Sequence, residues 1–176
     1  MLDRLKRLAG GRGTRLAAVL WIGKSVAIVA VGALVACGPI GPIPGGALSG
    51  EAGPRAVADW SVAASEARAQ LETRPDDPRS VNTWFVSVGP RLYVPTSMIL
   101  GPKHPDGRSW VAHVAADPRV RIRLGDTVYE RRAVRVEDPA EYAAAREALE
   151  AKYAIAPADR DPDRTIWIYR LDERKG

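Results

Sequence analysis

Between Pro118 and Gly125 the chain reads Arg119-Val120-Arg121-Ile122-Arg123-Leu124, three apolar residues in strict alternation with three arginines. Successive side chains of a strand point to opposite faces, so this run offers one face to a core and one to water. A helix would scatter the arginines through the apolar side. The run also constrains its neighbours. A residue before proline is pushed out of the helical region, so Ser109-Trp110-Val111-Ala112-His113-Val114-Ala115-Ala116 is predicted to be a short helix, capped by Ser109 and closed at Asp117. Gly125-Asp126 supplies a hairpin turn into a second strand, Val128 to Val136. Strict alternation there would bury Glu130 and Arg132 beside Val128, Val134 and Val136, so a bulge near Arg131 is expected to change the phase and turn Tyr129 and Ala133 inward.

The 176 residues suffice for one ordinary domain. A formal charge of +5 suggests an anionic partner, but its distribution removes that suggestion. Arg4, Lys6, Arg7, Arg12, Arg15, Lys24 and the single acid Asp3 precede Cys37, leaving 20 basic and 20 acidic residues after it. A neutral body gives nucleic-acid binding no electrostatic support.

The basic stretch through Lys24 and the apolar run Ser25 to Ala36 read as an export signal, too short for a comfortable membrane span. Leu34-Val35-Ala36-Cys37 resembles the bacterial lipobox, with Cys37 as the lipidated residue. The competing reading is an uncleaved helix from Leu16 to Ala36 that carries Lys24. Either places the protein at the cell envelope, membrane-anchored, with its domain outside the cytoplasm. Cys37 is the only cysteine, which excludes an internal disulfide and, once lipidated, thiol catalysis. The expected organisation is a signal peptide or anchor over 1–36, a Gly/Pro-rich tether or wrapped arm over 37–58, and a folded domain over 59–176.

Within that domain Trp60 is expected to plug one end of the core. Ala69, Leu71 and Thr73 alternate as a strand, and Pro75-Asp76-Asp77-Pro78 turns it. The apolar run Val81 to Val88 predicts a strand buried on both faces, and Gly89-Pro90 returns it as Arg91 to Ser97, with Pro95 confining that end to an edge or bulge. A loop over 98–108 delivers Lys103, His104 and Arg108 to the short helix. Asp138-Pro139-Ala140-Glu141 starts a longer amphipathic helix, with Glu141 placed for a reciprocal cap and Tyr142, Ala145, Leu149 and Tyr153 on one face. Asp159 to Arg164 reads as a solvated loop rather than a calcium site, and Thr165 to Leu171 as the closing strand.

Conventional catalytic sets are weak. His104 and His113 lack zinc-ligand spacing, no metal site is expected, and no serine lies in a Gly-x-Ser-x-Gly elbow. A catalytic residue is therefore not assigned. The order of elements, together with Leu92-Tyr93-Val94-Pro95-Thr96-Ser97, Trp110 to Ile122 and the strand Val128 to Val136, resembles the split β-barrel superfamily of pyridoxamine-phosphate-oxidase-like flavoproteins and deazaflavin-dependent nitroreductase-like proteins.

That resemblance implies a mainly β (α+β) fold: a six-stranded split β-barrel with a short helix and one longer amphipathic helix. It implies a homodimer holding a flat redox cofactor, flavin mononucleotide (FMN) or a deazaflavin ahead of haem, at the subunit interface. The matching positions are Thr96, Ser97, Lys103, Arg108 and Ser109 for the phosphate, with Trp84 or Trp110 beside the ring. Charge-assisted donors at a helix start suit that use. The implied activity is a flavin- or deazaflavin-dependent oxidoreductase. The alternative is a non-catalytic lipoprotein that binds a small molecule or a protein partner.

Overall fold

The computed structural model describes residues 38–61 and 64–174, so the predicted signal segment and the lipidation residue Cys37 lie outside the described residues. Eight strands form one sheet: β1 (Glu51–Ala52), β2 (Ala69–Thr73), β3 (Arg79–Thr83), β4 (Val86–Val88), β5 (Arg91–Pro95), β6 (Arg119–Leu124), β7 (Thr127–Arg135) and β8 (Ile168–Glu173). The helices are α1 (Ser109–Ala116) and α2 (Pro139–Lys152). Strand order is β3-β2-β6-β7-β8-β5-β4, antiparallel throughout, with β1 added in parallel to the start of β7.

The two ends of that order, β3 and β4, are separated in sequence only by Trp84-Phe85. One chain path therefore pairs with β2 through its first half and with β5 through its second, closing six paths into a barrel that is split at those two residues. The short β1 and the division of β3 from β4 account for eight strands where six were expected.

The inward face collects the apolar members of each alternation. Leu71, Leu92, Val94, Val120, Ile122, Tyr129, Ala133 and Leu171 join Trp60, Phe85 and Trp110 in one buried cluster. A second cluster lies under α2, where Ala145 and Leu149 meet Tyr93, Val86 and Ile168. Tyr93 and its neighbours Leu92 and Val94 show the two-sided use of β5, one face to each cluster. Leu149 and Ile168 are fully excluded from water, burial worth about 1.5–3 kcal/mol per side chain.

Several local expectations change. β7 carries no bulge: its register runs unbroken from Leu124↔Thr127 to Arg119↔Arg132 and on to Arg135↔Tyr169. Tyr129 and Ala133 do face inward, and Arg131 accompanies them while Glu130 and Arg132 stay in water. Val128 is buried as well, on the side where β1 covers it. The run 81–88 is not buried on both faces. Val81, Asn82, Thr83 and Trp84 are half-buried, because the barrel opens there. Ser109 does not cap α1. A 3-10 turn over Pro105–Gly107 runs straight into the helix, so Arg108 occupies the cap position and its side chain makes no capping bond. Asp138 caps α2 by accepting from Glu141 N at 2.7 Å, but the Glu141 carboxylate is drawn away to Arg170 and Tyr93 rather than back to the cap.

Residues 38–54 form the wrapped arm rather than a free tether. Gly45 exchanges both backbone bonds with Ser80, and the Ser80 hydroxyl donates to the Gly46 carbonyl at 2.8 Å. Leu48 is buried, and its N–H donates to the Glu72 carboxylate, which also binds the Arg121 guanidinium. Asn82 Nδ2 donates to the Gly41 carbonyl at 2.9 Å. The last strand runs from Ile168 rather than Thr165, since Thr165 N is bonded to the Lys103 carbonyl and not to a strand.

Candidate functional site

Where β3 gives way to β4, the chain after β5 and the start of α1 come together around a cavity of about 470 Å³. Six of the seven predicted site residues line it: Trp84, Thr96, Ser97, Arg108, Ser109 and Trp110. Pro95 shows why the space exists. Its ladder partner is Ile168 on one side, while β4 begins only opposite Tyr93, so the other side of Pro95 faces the cavity instead of a strand.

Arg108 is the principal charge. Its Nε and Nη2 donate to Ser97 Oγ at 2.9 and 2.8 Å, and Nη2 reaches the Leu100 carbonyl at 3.2 Å. Among the described residues no carboxylate pairs with it. Burial lowers its pKa from the ordinary arginine value, and the nearby charge of Arg164 adds to that effect. The site thus holds a cation whose charge is incompletely compensated. Gly101 makes room for it: with φ +87° this residue is in the left-handed region, and a Cβ there would collide with the Arg108 guanidinium.

The hydroxyls are held in place. Thr96 Oγ1 accepts from Trp167 N at 3.1 Å, and Ser97 Oγ accepts from Arg108. Neither hydroxyl has an acceptor for its own proton among the described residues, so both keep a donor. Trp84 is half-buried and stacks on Tyr153 with centroids 4.1 Å apart and planes 9° apart. Trp110 is buried, edge-on to Tyr169, and serves the core while its side forms part of the wall.

Lys103 does not join this set. Asp161 at 3.0 Å and Asp163 at 3.7 Å hold its ammonium outside the cavity, and the bond to Asp161 raises its pKa. His104 is exposed and lines nothing here, whereas His113 bonds through Nδ1 to Thr73 Oγ1 at 2.9 Å. Sequence reasoning missed Arg68, Asn82 and Thr83 and the arm residues Gly41, Pro42 and Pro44, all of which line the cavity. Arg68 precedes β2 in a context that carries no motif. The arm's contribution depends on where Asn82 and Ser80 fix it, which only the fold supplies.

Among the described residues the cavity lining includes no carboxylate, histidine, cysteine, lysine or tyrosine. It has two arginines, hydroxyl and amide donors, and apolar walls from Trp84, Met98, Ile99 and Trp110. Such a set can hold an anionic group and seat a planar ring against an apolar surface. These residues therefore fit a cofactor that bears both a phosphate and a flat ring. No group of three or more His, Cys, Asp or Glu residues among those described is placed to hold a metal ion.

Residues 72–171 match the family model of F420H(2)-dependent quinone reductases. No curated protein matches the sequence. Among solved structures, the chain is similar to a conserved hypothetical protein of Mycobacterium tuberculosis, with 18% identity and a TM-score of 0.51 over 71% of this chain and 86% of that one. It is also similar to an F420-H2 dependent reductase, at 20% identity and TM-score 0.47 over 61% and 95% of the two chains. A putative pyridoxamine 5'-phosphate oxidase of Listeria innocua is 16% identical, with TM-score 0.46 over 65% and 90%. The match to the Mycobacterium protein establishes a shared fold.

Proposed function

The chain belongs to the F420H(2)-dependent quinone reductase family, and from that premise we propose that it is a membrane-tethered oxidoreductase that passes a hydride from a reduced deazaflavin to a quinone. Deazaflavin or flavin is the cofactor class, and the cavity beside Arg108 is its site. The observation that carries this reading is the pairing of Arg108 with Ser97 in a lining that has no carboxylate.

The cofactor, when bound, supplies the hydride chemistry, and the protein supplies binding, orientation and exclusion of water. Arg108, with Arg68, offers charge-assisted donors to a phosphate, and the protons of Thr96 and Ser97 are directed by the bonds their oxygens already accept. Trp84 and Trp110 give a ring its apolar wall. Among the described residues the lining includes no carboxylate, histidine, cysteine or lysine, so a proton for the reduced product comes from solvent. The apolar run before Cys37 supports the membrane tether, and a second copy of the chain would complete the homodimer that the resemblance implies.

Titration of the purified protein with F420, and in parallel with FMN, should give saturable quenching of cofactor fluorescence. Arg108→Gln should weaken it by about ten- to a hundredfold, the worth of a charge-assisted contact. If neither cofactor binds saturably, the oxidoreductase reading fails and a non-catalytic ligand-binding lipoprotein takes its place.

A further inference from the structure

Among the described residues the large apolar side chains that stand exposed are Ile40 at 63%, Ile43 at 64% and Leu100 at 75%. They are not scattered. Ile40 and Ile43 close a two-residue turn by exchanging backbone bonds at 3.1 and 3.0 Å, and the Gly41 and Pro42 between them wall the cavity, as does Leu100. Asn82 fixes that turn on the barrel through the Gly41 carbonyl. The mouth of the cavity therefore carries an apolar lip of three residues from two separate segments. Single exposed apolar residues need no explanation, whereas a cluster of them around a cavity marks a surface that something covers.

The sequence indicates what covers it. Cys37 ends the apolar run Ser25 to Ala36 and lies three residues before Ile40, so the two Cα atoms are separated by at most about 11 Å. A chain anchored in a bilayer at Cys37 cannot hold the Ile40–Ile43 turn far from that surface. Arg68, exposed on the cavity lining and without a carboxylate partner among the described residues, suits anionic headgroups beside the same mouth.

We propose that Ile40, Ile43 and Leu100 form a bilayer-contacting lip, so that the cavity opens against the lipid surface and admits a quinone whose apolar tail stays in the membrane. This inference rests on the tether and quinone readings proposed above. An apolar turn dipped into the interface holds the mouth at the depth where a long-tailed substrate resides.

The test uses the full chain in vesicles of phosphatidylcholine and phosphatidylglycerol that contain nitroxide-labelled acyl chains. An environment-sensitive fluorophore is placed through Ile43→Cys and, at the far end of β2, through Asp76→Cys; mass spectrometry verifies a single label. Strong quenching at position 43 with little at position 76 is the expected result. In the Ile40→Ser/Ile43→Ser variant, turnover of a long-tailed quinone in vesicles should fall on the order of tenfold, while turnover of a short-chain soluble quinone is unchanged. Equal quenching at both positions in a chain that floats with the vesicles overturns the bilayer-facing mouth and leaves the tether standing. A chain that does not float removes the tether, and the inference with it.

Discussion

The Tyr153 hydroxyl accepts from the Phe85 N–H at 3.0 Å and donates to the Phe85 carbonyl at 3.1 Å, taking both backbone valences at the residue where the barrel splits. No neighbouring strand reaches Phe85, because β3 has ended and β4 has not begun. One phenol at the end of α2 replaces a strand, and its ring is also the platform for Trp84 in the cavity wall. Tyr153→Phe keeps the stack and removes both bonds. It should lower stability by about 2 kcal/mol in urea unfolding, the cost of leaving two backbone groups unpaired, with the near-ultraviolet signature of the tryptophan retained.

Gly101 controls the placement of Arg108. Gly101→Ala combines a strained φ with a collision against the guanidinium, so the arginine must leave Ser97. Cofactor dissociation constants should rise about tenfold in fluorescence titration, close to the effect of losing one charge-assisted contact. Ser97→Ala, which leaves the guanidinium in place but unanchored, should cost only a few-fold.

Arg131 is 2% exposed and lies 5.2 Å from the centroid of Trp60 and 5.3 Å from that of Tyr129. Its guanidinium donates to the carbonyls of Glu130 at 2.8 Å and Pro54 at 3.4 Å, and burial pushes its pKa down from the ordinary arginine value. The residue holds the end of the arm to the core by packing and cation–π attraction rather than by an ion pair. Arg131→Ala should destabilise by about 3 kcal/mol through the cavity it leaves, whereas Arg131→Met, which keeps the volume and removes the buried charge, should stay within about 1 kcal/mol of the parent. Thermal and urea unfolding of the two variants check this.

Glu141 predicts an acid limb in stability. Burial works to raise its carboxyl, but hydrogen bonds from Arg170 and Tyr93 and the charges of Arg170 and Arg91 outweigh it and hold the pKa below the ordinary 4.5. A group whose folded pKa is depressed contributes stability that is complete above its unfolded value. That contribution is lost as pH falls from about 4.5 through the lower folded value. His113 has the same sign in a different window. Burial, then Arg74 and Arg79, disfavour its imidazolium, so its contribution is complete above 6.5 and declines as pH falls below. Urea midpoints between pH 3 and 8 should therefore fall in both windows; Glu141→Gln should reduce only the lower loss, to which the depressed Asp117, Glu150 and Asp161 also contribute, and His113→Asn only the upper.

Local pattern was enough to locate most elements. The Arg/apolar alternation of β6, the proline that stops α1 at Asp117 and the Asp138-Pro139 start of α2 act through backbone sterics and side-chain period, which do not depend on the rest of the fold. The same is true of the candidate site in outline, since the hydroxyls after β5 and the arginine before α1 are adjacent to the elements that carry them. Tertiary structure decided what long-range partners decide. Arg131 lies inside without a bulge because Trp60 and Tyr129 flank it, and Glu141 abandons its cap because Arg170 is a stronger partner. Lys103 is withdrawn from the cavity by Asp161, while Arg68, Asn82 and the arm enter it because β3 pairs with β2 and Asn82 holds the Gly41 carbonyl. A residue's phase along a strand is written in its neighbours; its charge partner and the wall it completes come from segments tens of residues away, where sequence spacing imposes no geometry.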